Sequence, residues 1–280
     1  MANLFDVTVN LMDESFSHQD TGNYGLAVIL HELSVSWCVL DFRRNKFLGL
    51  ICCERSSKSP SEGQPDDSVA ARYFFSDACE AFPWLLNTFK LVKVAYAGEK
   101  TTLIPADLFN PDDKDLYFKF NFTQEKDTIV AYDHLMPVNA YQVYAVPAMI
   151  ARSAAEVFPG ARLVHASSFM IEGVWINYKN RITSPHVFLQ VRASVMDIMI
   201  FDGRQMIYFN TFPYHNAEEV AYYLIFVLEQ LDYNPEMVPV VLMGNIEANA
   251  GLADLLHRYV RHVETVRKNE AYGYSYVMDH

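Results

Sequence analysis

Few residues in this chain have the types and spacing to do chemistry, and the first set is His165 with Ser167 and Ser168. They follow the apolar pair Leu163-Val164, so a strand end would present a base beside two hydroxyls, the pairing that nucleophilic catalysis needs. A capped helix start explains the same residues more simply. Gly98-Glu99-Lys100-Thr101 has the Lys-Thr end of a phosphate loop, but Glu99 interrupts the Gly-Lys pair and the upstream glycine is missing, which leaves a surface turn. His257 and His262 lie five positions apart. On a helix that spacing separates them by about 140°, which is wrong for a shared metal. The Gly-x-Ser-x-Gly, His-Glu-x-x-His and Gly-x-Gly-x-x-Gly patterns do not occur. Neither a catalytic residue nor a metal ligand set is expected.

Any site must therefore arise from the way larger elements meet. Residues 186–211, HVFLQVRASVMDIMIFDGRQMIYFNT, read as a three-strand meander. Val187–Gln190, Ser194–Phe201 and Gln205–Phe209 are rich in apolar, aromatic and β-branched residues, and Asp202-Gly203 supplies a two-residue hairpin turn. A shift of 159 positions (198 − 39) lays Ile198-Met199-Ile200-Phe201 on Val39-Leu40-Asp41-Phe42, and Met206–Phe209 on Phe47–Leu50. In both places a helical stretch follows (Asp67–Phe89, Asn216–Leu231), then a short apolar run (Leu91–Tyr96, Val238–Met243), then a glycine (Gly98, Gly244). Leu103–Leu108 also resembles Gly251–Leu256 in order. Two copies of strand, strand, strand, helix, strand predict an α/β protein of two similar domains facing one another across a cleft. The alternative is a single large sheet with coincidental hairpins.

On this reading residues 1–182 form the first domain and 183–280 the second. The first has a lead-in edge strand at Leu4–Asn10 and a meander of Tyr24–Leu30, Leu33–Phe42 and Lys46–Cys53. The polar loop Ser56–Asp67 ends in Asp66, Asp67 and Ser68, which can cap the next helix, and Pro83 breaks that helix near its end. Residues 99–160 have no counterpart in the second half and read as an insertion, with paired strands at Thr128–Tyr132 and Tyr141–Val146 and a helix from Pro147 to Phe158. A strand at Arg162–His165 and a helix over Ser167–Asn177 close the domain. In the second domain Asn216 caps a helix, a further helix spans Gly251–Val266, and the tyrosine-rich tail supplies a last edge strand.

Composition narrows the function classes. The 280 residues are 51% hydrophobic and 14% aromatic, which excludes disorder, and the apolar runs are too short to cross a bilayer. The first residues carry acids where a signal peptide needs bases, so a cytoplasmic location is expected. Cys38, Cys52, Cys53 and Cys79 lack CxxC spacing and read as buried thiols. With 34 acids against 22 bases, a formal charge of −12 repels phosphate backbones, so no nucleic-acid partner is expected.

Two facing copies of this unit are similar to the actin-like ATPase superfamily, built from two ribonuclease H-like domains. VRASVMDIMIFDGRQMIYFNTFPY resembles the second phosphate hairpin of its cell-division and pilus-assembly branch, and VVLMGNIEANAGLADLL resembles its adenosine-binding turn and following helix. More closely, the order of NYGLAVILHELSVSW, NKFLGL, VHASSF, FNTFPY and YYLIFVLEQL resembles an uncharacterised family of Bacteroidetes proteins with an actin-like ATPase fold.

The resemblance implies a nucleotide site, whose bends need glycine so that backbone amides can reach the phosphates, and a carboxylate to hold magnesium. Both bends depart from that pattern. At the second, Gln190 stands where the acid is expected and Arg192 where the glycine is, followed by Ala193 and Ser194. At the first, the turn is His31-Glu32-Leu33. At the adenosine turn Gly244 persists but Asn245 replaces the second glycine, and Asp197 is the one acid left near the second bend. The residual site is therefore Arg192, Ser194, Asp197, Gly244 and Asn245, and ATP with magnesium is disfavoured. Arg192 either fills the space of a phosphate, binds another anion, or pairs with a carboxylate across the cleft. A non-catalytic binding or scaffolding module with an unidentified protein partner is expected, the alternative being a divergent ATP-binding protein. Self-association through sheet edges or through Tyr222-Tyr223 and Tyr272–Tyr276 is a third class, although core packing is the preferred role for those tyrosines.

Overall fold

The computed structural model describes residues 5–31, 34–55, 79–192, 194–244, 246 and 251–266. The strands are β1 (Phe5–Met12), β2 (Tyr24–Leu30), β3 (Ser34–Asp41), β4 (Lys46–Arg55), β5 (Leu91–Tyr96), β6 (Thr101–Pro105), β7 (Thr128–Leu135), β8 (Ala140–Pro147), β9 (Leu163–His165), β10 (His186–Val191), β11 (Val195–Asp202), β12 (Gln205–Pro213), β13 (Val240–Gly244) and β14 (Val263–Thr265). The helices are α1 (Lys114–Asn121), α2 (Ala148–Val157), α3 (Ala166–Tyr178), α4 (Ala217–Gln230) and α5 (Leu252–Leu256).

Two sheets share one plan. The first runs β1-β4-β3-β2-β5-β9 and the second β12-β11-β10-β13-β14. Each is an antiparallel meander continued by two parallel strands, since β5 and β9 run parallel to β2 and β13 and β14 run parallel to β10. Among the described residues only the first carries an extra edge, β1 on β4; the edge strand expected of the tyrosine-rich tail lies outside them. A third sheet, β6-β8-β7 with α1 against it, lies between β5 and α2 in the chain.

The molecule is layered as helix, sheet, helix, sheet, helix. One face of the first sheet (Leu26, Val28, Val35, Trp37) packs on Ile150 and Ala154 of α2. Its other face (Ala27, Ile29, Cys38, Leu40) meets Phe169 of α3. That same helix presents Met170, Ile171, Val174 and Tyr178 to Phe188, Met199, Phe201 and Met243 of the second sheet. The outer face of the second sheet is covered by Val220, Leu224, Val227 and Leu228 of α4 and by Leu252 and Leu256 of α5. Because both faces are covered, β2 and β11 are near-continuous apolar runs rather than alternating ones. Burying one side chain the size of Ile171 or Phe188 contributes about 1.5–3 kcal/mol.

The duplication is real in strand order, but one shift does not describe it. His31 N donates to Ser34 O (2.8 Å) and Arg192 N to Val195 O (2.9 Å), so the two bends match at a shift of 161 (192 − 31). That shift holds to Asp41 and Asp202. The next turn spans 42–45 in the first copy but only Gly203-Arg204 in the second, since Asp41 pairs with Lys46 and Asp202 with Gln205. Beyond it the shift is 159. Ile198–Phe201 therefore stand over Trp37–Leu40, two residues from the sequence alignment, whereas Met206–Phe209 over Phe47–Leu50 is correct. A two-residue slip leaves every side chain on its own face, which is why the pattern concealed it. Both copies also carry a bulge at the same place, between Val39 and Leu40 against β4 and between Ile200 and Phe201 against β12. The turn itself is Gly203-Arg204, with Gly203 at φ +56°, rather than Asp202-Gly203.

Other expectations divide. Asn216 caps α4, its side chain accepting from Glu219 N at 2.9 Å, and Asn139 turns the β7–β8 connection at φ +51°. Residues 79–81 end a helix, followed by a 3-10 turn at Pro83–Leu86; the polar loop, the Asp66–Ser68 cap and most of that helix lie outside the described residues. The single helix over Gly251–Val266 is instead the short α5, three turn residues, and β14 pairing parallel with β13. Val263 and Thr265 are β-branched and complete the sheet, which outweighs helix continuation. Leu103–Leu108 does not match Gly251–Leu256: it forms β6 and a 3-10 turn of the third sheet, whereas α2 occupies the place of α5.

Candidate functional site: the second bend and the loop facing it

Arg192 directly follows β10, and the bend it opens is clamped by Tyr214, the residue after β12. Tyr214 donates its backbone N–H to Ser194 O at 3.0 Å and its hydroxyl to Arg192 O. The Arg192 side chain is 16% exposed and Asp197, one strand away on β11, is 2% exposed. The guanidinium grips that carboxylate at both oxygens, Nη2 donating to Oδ1 at 3.0 Å and Nε lying 3.0 Å from Oδ2. The Nε approach is close but poorly aligned for a hydrogen bond. Thr211 Oγ1, paired with Asp197 across β11–β12, donates to Oδ1 at 2.6 Å. Nη1 then reaches the facing loop after β5 and donates to Ala97 O at 3.3 Å. Arg192 thus pairs with a carboxylate on its own hairpin, and what it meets across the cleft is a carbonyl.

The facing loop is held from both sides. Glu99 Oε1 accepts from Ser194 Oγ at 3.3 Å, and Gly98 O lies 3.2 Å from His165 Nε2. His165 Nδ1 accepts from Ser167 N (3.3 Å) and faces Ser167 Oγ (2.9 Å), so the ring proton sits on Nε2 and is donated to Gly98 O. His165 is fully buried, and burial together with the Arg192 charge lowers its pKa to about 3. His31 at the first bend is half-buried and is lowered to about 4 by the same causes, burial being the larger. Both rings are neutral near pH 7, which spares Arg192 a second cation beside it.

The residues around His165 form a closed polar network. Asp133 Oδ2 accepts from His165 N and from Ser168 Oγ, each at 2.7 Å, and Gln142 Nε2 donates to Thr101 Oγ1 at 2.8 Å. His165 is the N-cap of α3, its ring accepting from Ser167 N. The helix-start reading therefore holds for these residues, which are buried and bonded to one another rather than open to a substrate. In the Gly98–Thr101 stretch Glu99 is exposed, but Gly98 and Thr101 are buried, so it is a surface turn only at its tip. His257 and His262 are not on one helix, because His262 leads into β14 and its carbonyl accepts from Val240 N.

Of the five site residues, Arg192, Ser194 and Asp197 come together and Gly244 joins them. Gly244 has φ +91°, and a Cβ there would lie 2.2 Å from Val191 O and 2.8 Å from Gln190 Nε2. The close approach of β13 to the bend requires glycine without any ligand. Asn245, like Glu32 and Leu33 of the first bend, lies outside the described residues. Thr211, Tyr214, Ala97 and Glu99 are additions. The Thr211–Asp197 pair follows from the hairpin register once the bulge is counted; the cross-cleft contacts have no sequence signal.

This architecture, two ribonuclease H-like domains with matching sheets, is the actin-like ATPase fold. Solved structures agree. A Bacteroides thetaiotaomicron protein with actin-like ATPase fold and unknown function superposes with a TM-score of 0.83 at 20% identity, covering 95% of this chain and 99% of that one. The PilM–PilN type IV pilus biogenesis complex gives a TM-score of 0.61 at 12% identity over 88% and 89%. The chain belongs to the family described as Protein of unknown function (DUF3822), whose model matches residues 13–263. No curated protein matches it.

Proposed function

We propose that this protein is a non-catalytic actin-like module that works by binding another protein, and that its nucleotide cleft has been converted into a structural contact. The observation that carries this reading is Arg192, whose guanidinium is held by Asp197 and by the carbonyl of Ala97. Asp197, the acid on the hairpin behind the bend, has both oxygens engaged by Arg192 and one shared with Thr211. Magnesium would have to displace a cation already paired there, and the residues present do not suit an ATP–magnesium group. Among the described residues no three His, Cys, Asp or Glu side chains converge into a metal-holding group.

A protein partner is supported by the similarity to PilM, solved as a complex with PilN. A cytoplasmic setting is supported by four free thiols, three of them buried; no described helix is long and apolar enough to cross a membrane. The second reading, a divergent ATP-binding protein, rests on the retained Gly244, but that glycine already has a packing reason. Calorimetric titration with ATP and magnesium decides between them. No heat of binding is expected up to millimolar nucleotide, and a micromolar Kd abolished by Gly244 or Asp197 variants would overturn the reading.

A further inference from the structure

Tyr223 stacks on Phe212 with ring centroids 4.8 Å apart, as a core residue should, but Tyr222 is 63% exposed and does not fill the core expected of it. It lies over Phe226, itself 42% exposed, in a groove of about 450 Å³ between α4 and α5 whose far wall is Leu255 and Tyr259. Glu218, Tyr222, Phe226 and Glu229 fall on one face of α4. The groove therefore has an aromatic floor and a carboxylate at each end, about 16 Å apart along the helix. Among the described residues neither glutamate enters an ion pair. Arg258 and Arg261 follow α5 but do not line the groove.

We propose that this groove docks an amphipathic helix of a partner protein whose apolar, aromatic stripe is bracketed by two basic residues about eleven positions apart. The proposal rests on the reading of the protein as a binding module and names the chemistry of its partner. Charge decides the occupant: on a chain of net charge −12, two unpaired acids framing an apolar floor select a cationic segment. A second copy related by a two-fold axis would set these same acids against each other.

The test uses a fluorescein-labelled helical peptide of about 18 residues with a Leu/Phe stripe and two lysines at that spacing, and a twin with glutamates in their place. Anisotropy at low salt should give roughly micromolar binding of the lysine peptide and none of its twin. Glu218→Lys with Glu229→Lys should weaken the lysine peptide about tenfold or more and create binding of the glutamate twin, while Tyr222→Ala with Phe226→Ala should abolish both. All four side chains are at the surface, and unchanged thermal melts confirm folding. No binding, or equal binding of both peptides, overturns the proposal. A concentration-dependent dimer in light scattering that Tyr222→Ala dissolves also overturns it, in favour of self-association. Nucleotide titration of the same sample is independent: ATP binding would defeat the cleft reading and leave the groove result standing.

Discussion

The bend between β2 and β3 and the bend between β10 and β11 occupy equivalent places in equivalent sheets, and three positions in each can be set side by side. His31, Ser36 and Cys52 in the first correspond to Arg192, Asp197 and Thr211 in the second. Ser36 pairs with Cys52 across its hairpin as Asp197 does with Thr211, and in both pairs the side chains touch: Ser36 Oγ to Cys52 Sγ at 3.3 Å, Thr211 Oγ1 to Asp197 Oδ1 at 2.6 Å. One module has therefore been completed in two ways. At its described positions the first bend holds a neutral His31 and the uncharged Ser36–Cys52 pair. The second holds an ion pair, whose Arg192 reaches Ala97 O across the cleft beside the contact of Ser194 with the Glu99 carboxylate. The strand behind each bend differs as well, since Leu30 is paired with Tyr96 but Val191 with Gly244.

The largest test of that difference is Gly244→Ala. Its positive φ and the overlap with Val191 O should cost at least about 3 kcal/mol in urea denaturation. Gly98→Ala in the first half needs no positive φ, and its nearest neighbour is the ring of Tyr96 rather than backbone, so it should cost less, about 1 kcal/mol. Next, Asp197→Ala strands a guanidinium that is largely buried and should cost about 3 kcal/mol, against about 1 kcal/mol or less for Ser36→Ala. Equal losses at these two positions would break the comparison.

The histidines sharpen it through pH. A His whose folded pKa is depressed leaves the unfolded chain binding more protons, so its effect is absent above pH 6.5 and stability falls as pH drops toward the folded value. For His31 the window runs from 6.5 down to about 4, with a slope of up to about 1.4 kcal/mol per pH unit. Wild type and His31→Gln, denatured across that range, should differ by this slope, because His165 and the oppositely shifted Asp133 cancel in the difference. The smallest effect is cross-cleft. Arg192→Gln removes a cation facing His31, so the imidazole pKa read by NMR should rise but stay below 6.5, burial being the larger cause.

Much of the fold is legible in the sequence. Continuous apolar runs between turn residues placed β2, β3, β10 and β11, Asn216 marked the start of α4, and the repeated order implied paired sheets. The helix proposed over Gly251–Val266 failed because a helical stripe and a short helix followed by a strand have similar apolar spacing, and only the open edge of β13 selects the strand. The exposure of Tyr222 was equally hidden, since aromatic residues on an amphipathic helix look alike whether a neighbour covers them or not.

What the sequence determined alone is the doubling of the module and the loss of glycine at its bends, both of which are local: strand periodicity and residue type lie in consecutive positions. What tertiary structure decided is the use made of Arg192. Its hold on Asp197 depends on a hairpin register set by a turn and a bulge, and its reach to Ala97 spans 95 residues of chain. Such a contact is fixed by how α3 packs both sheets together, and no run of neighbouring residues records it.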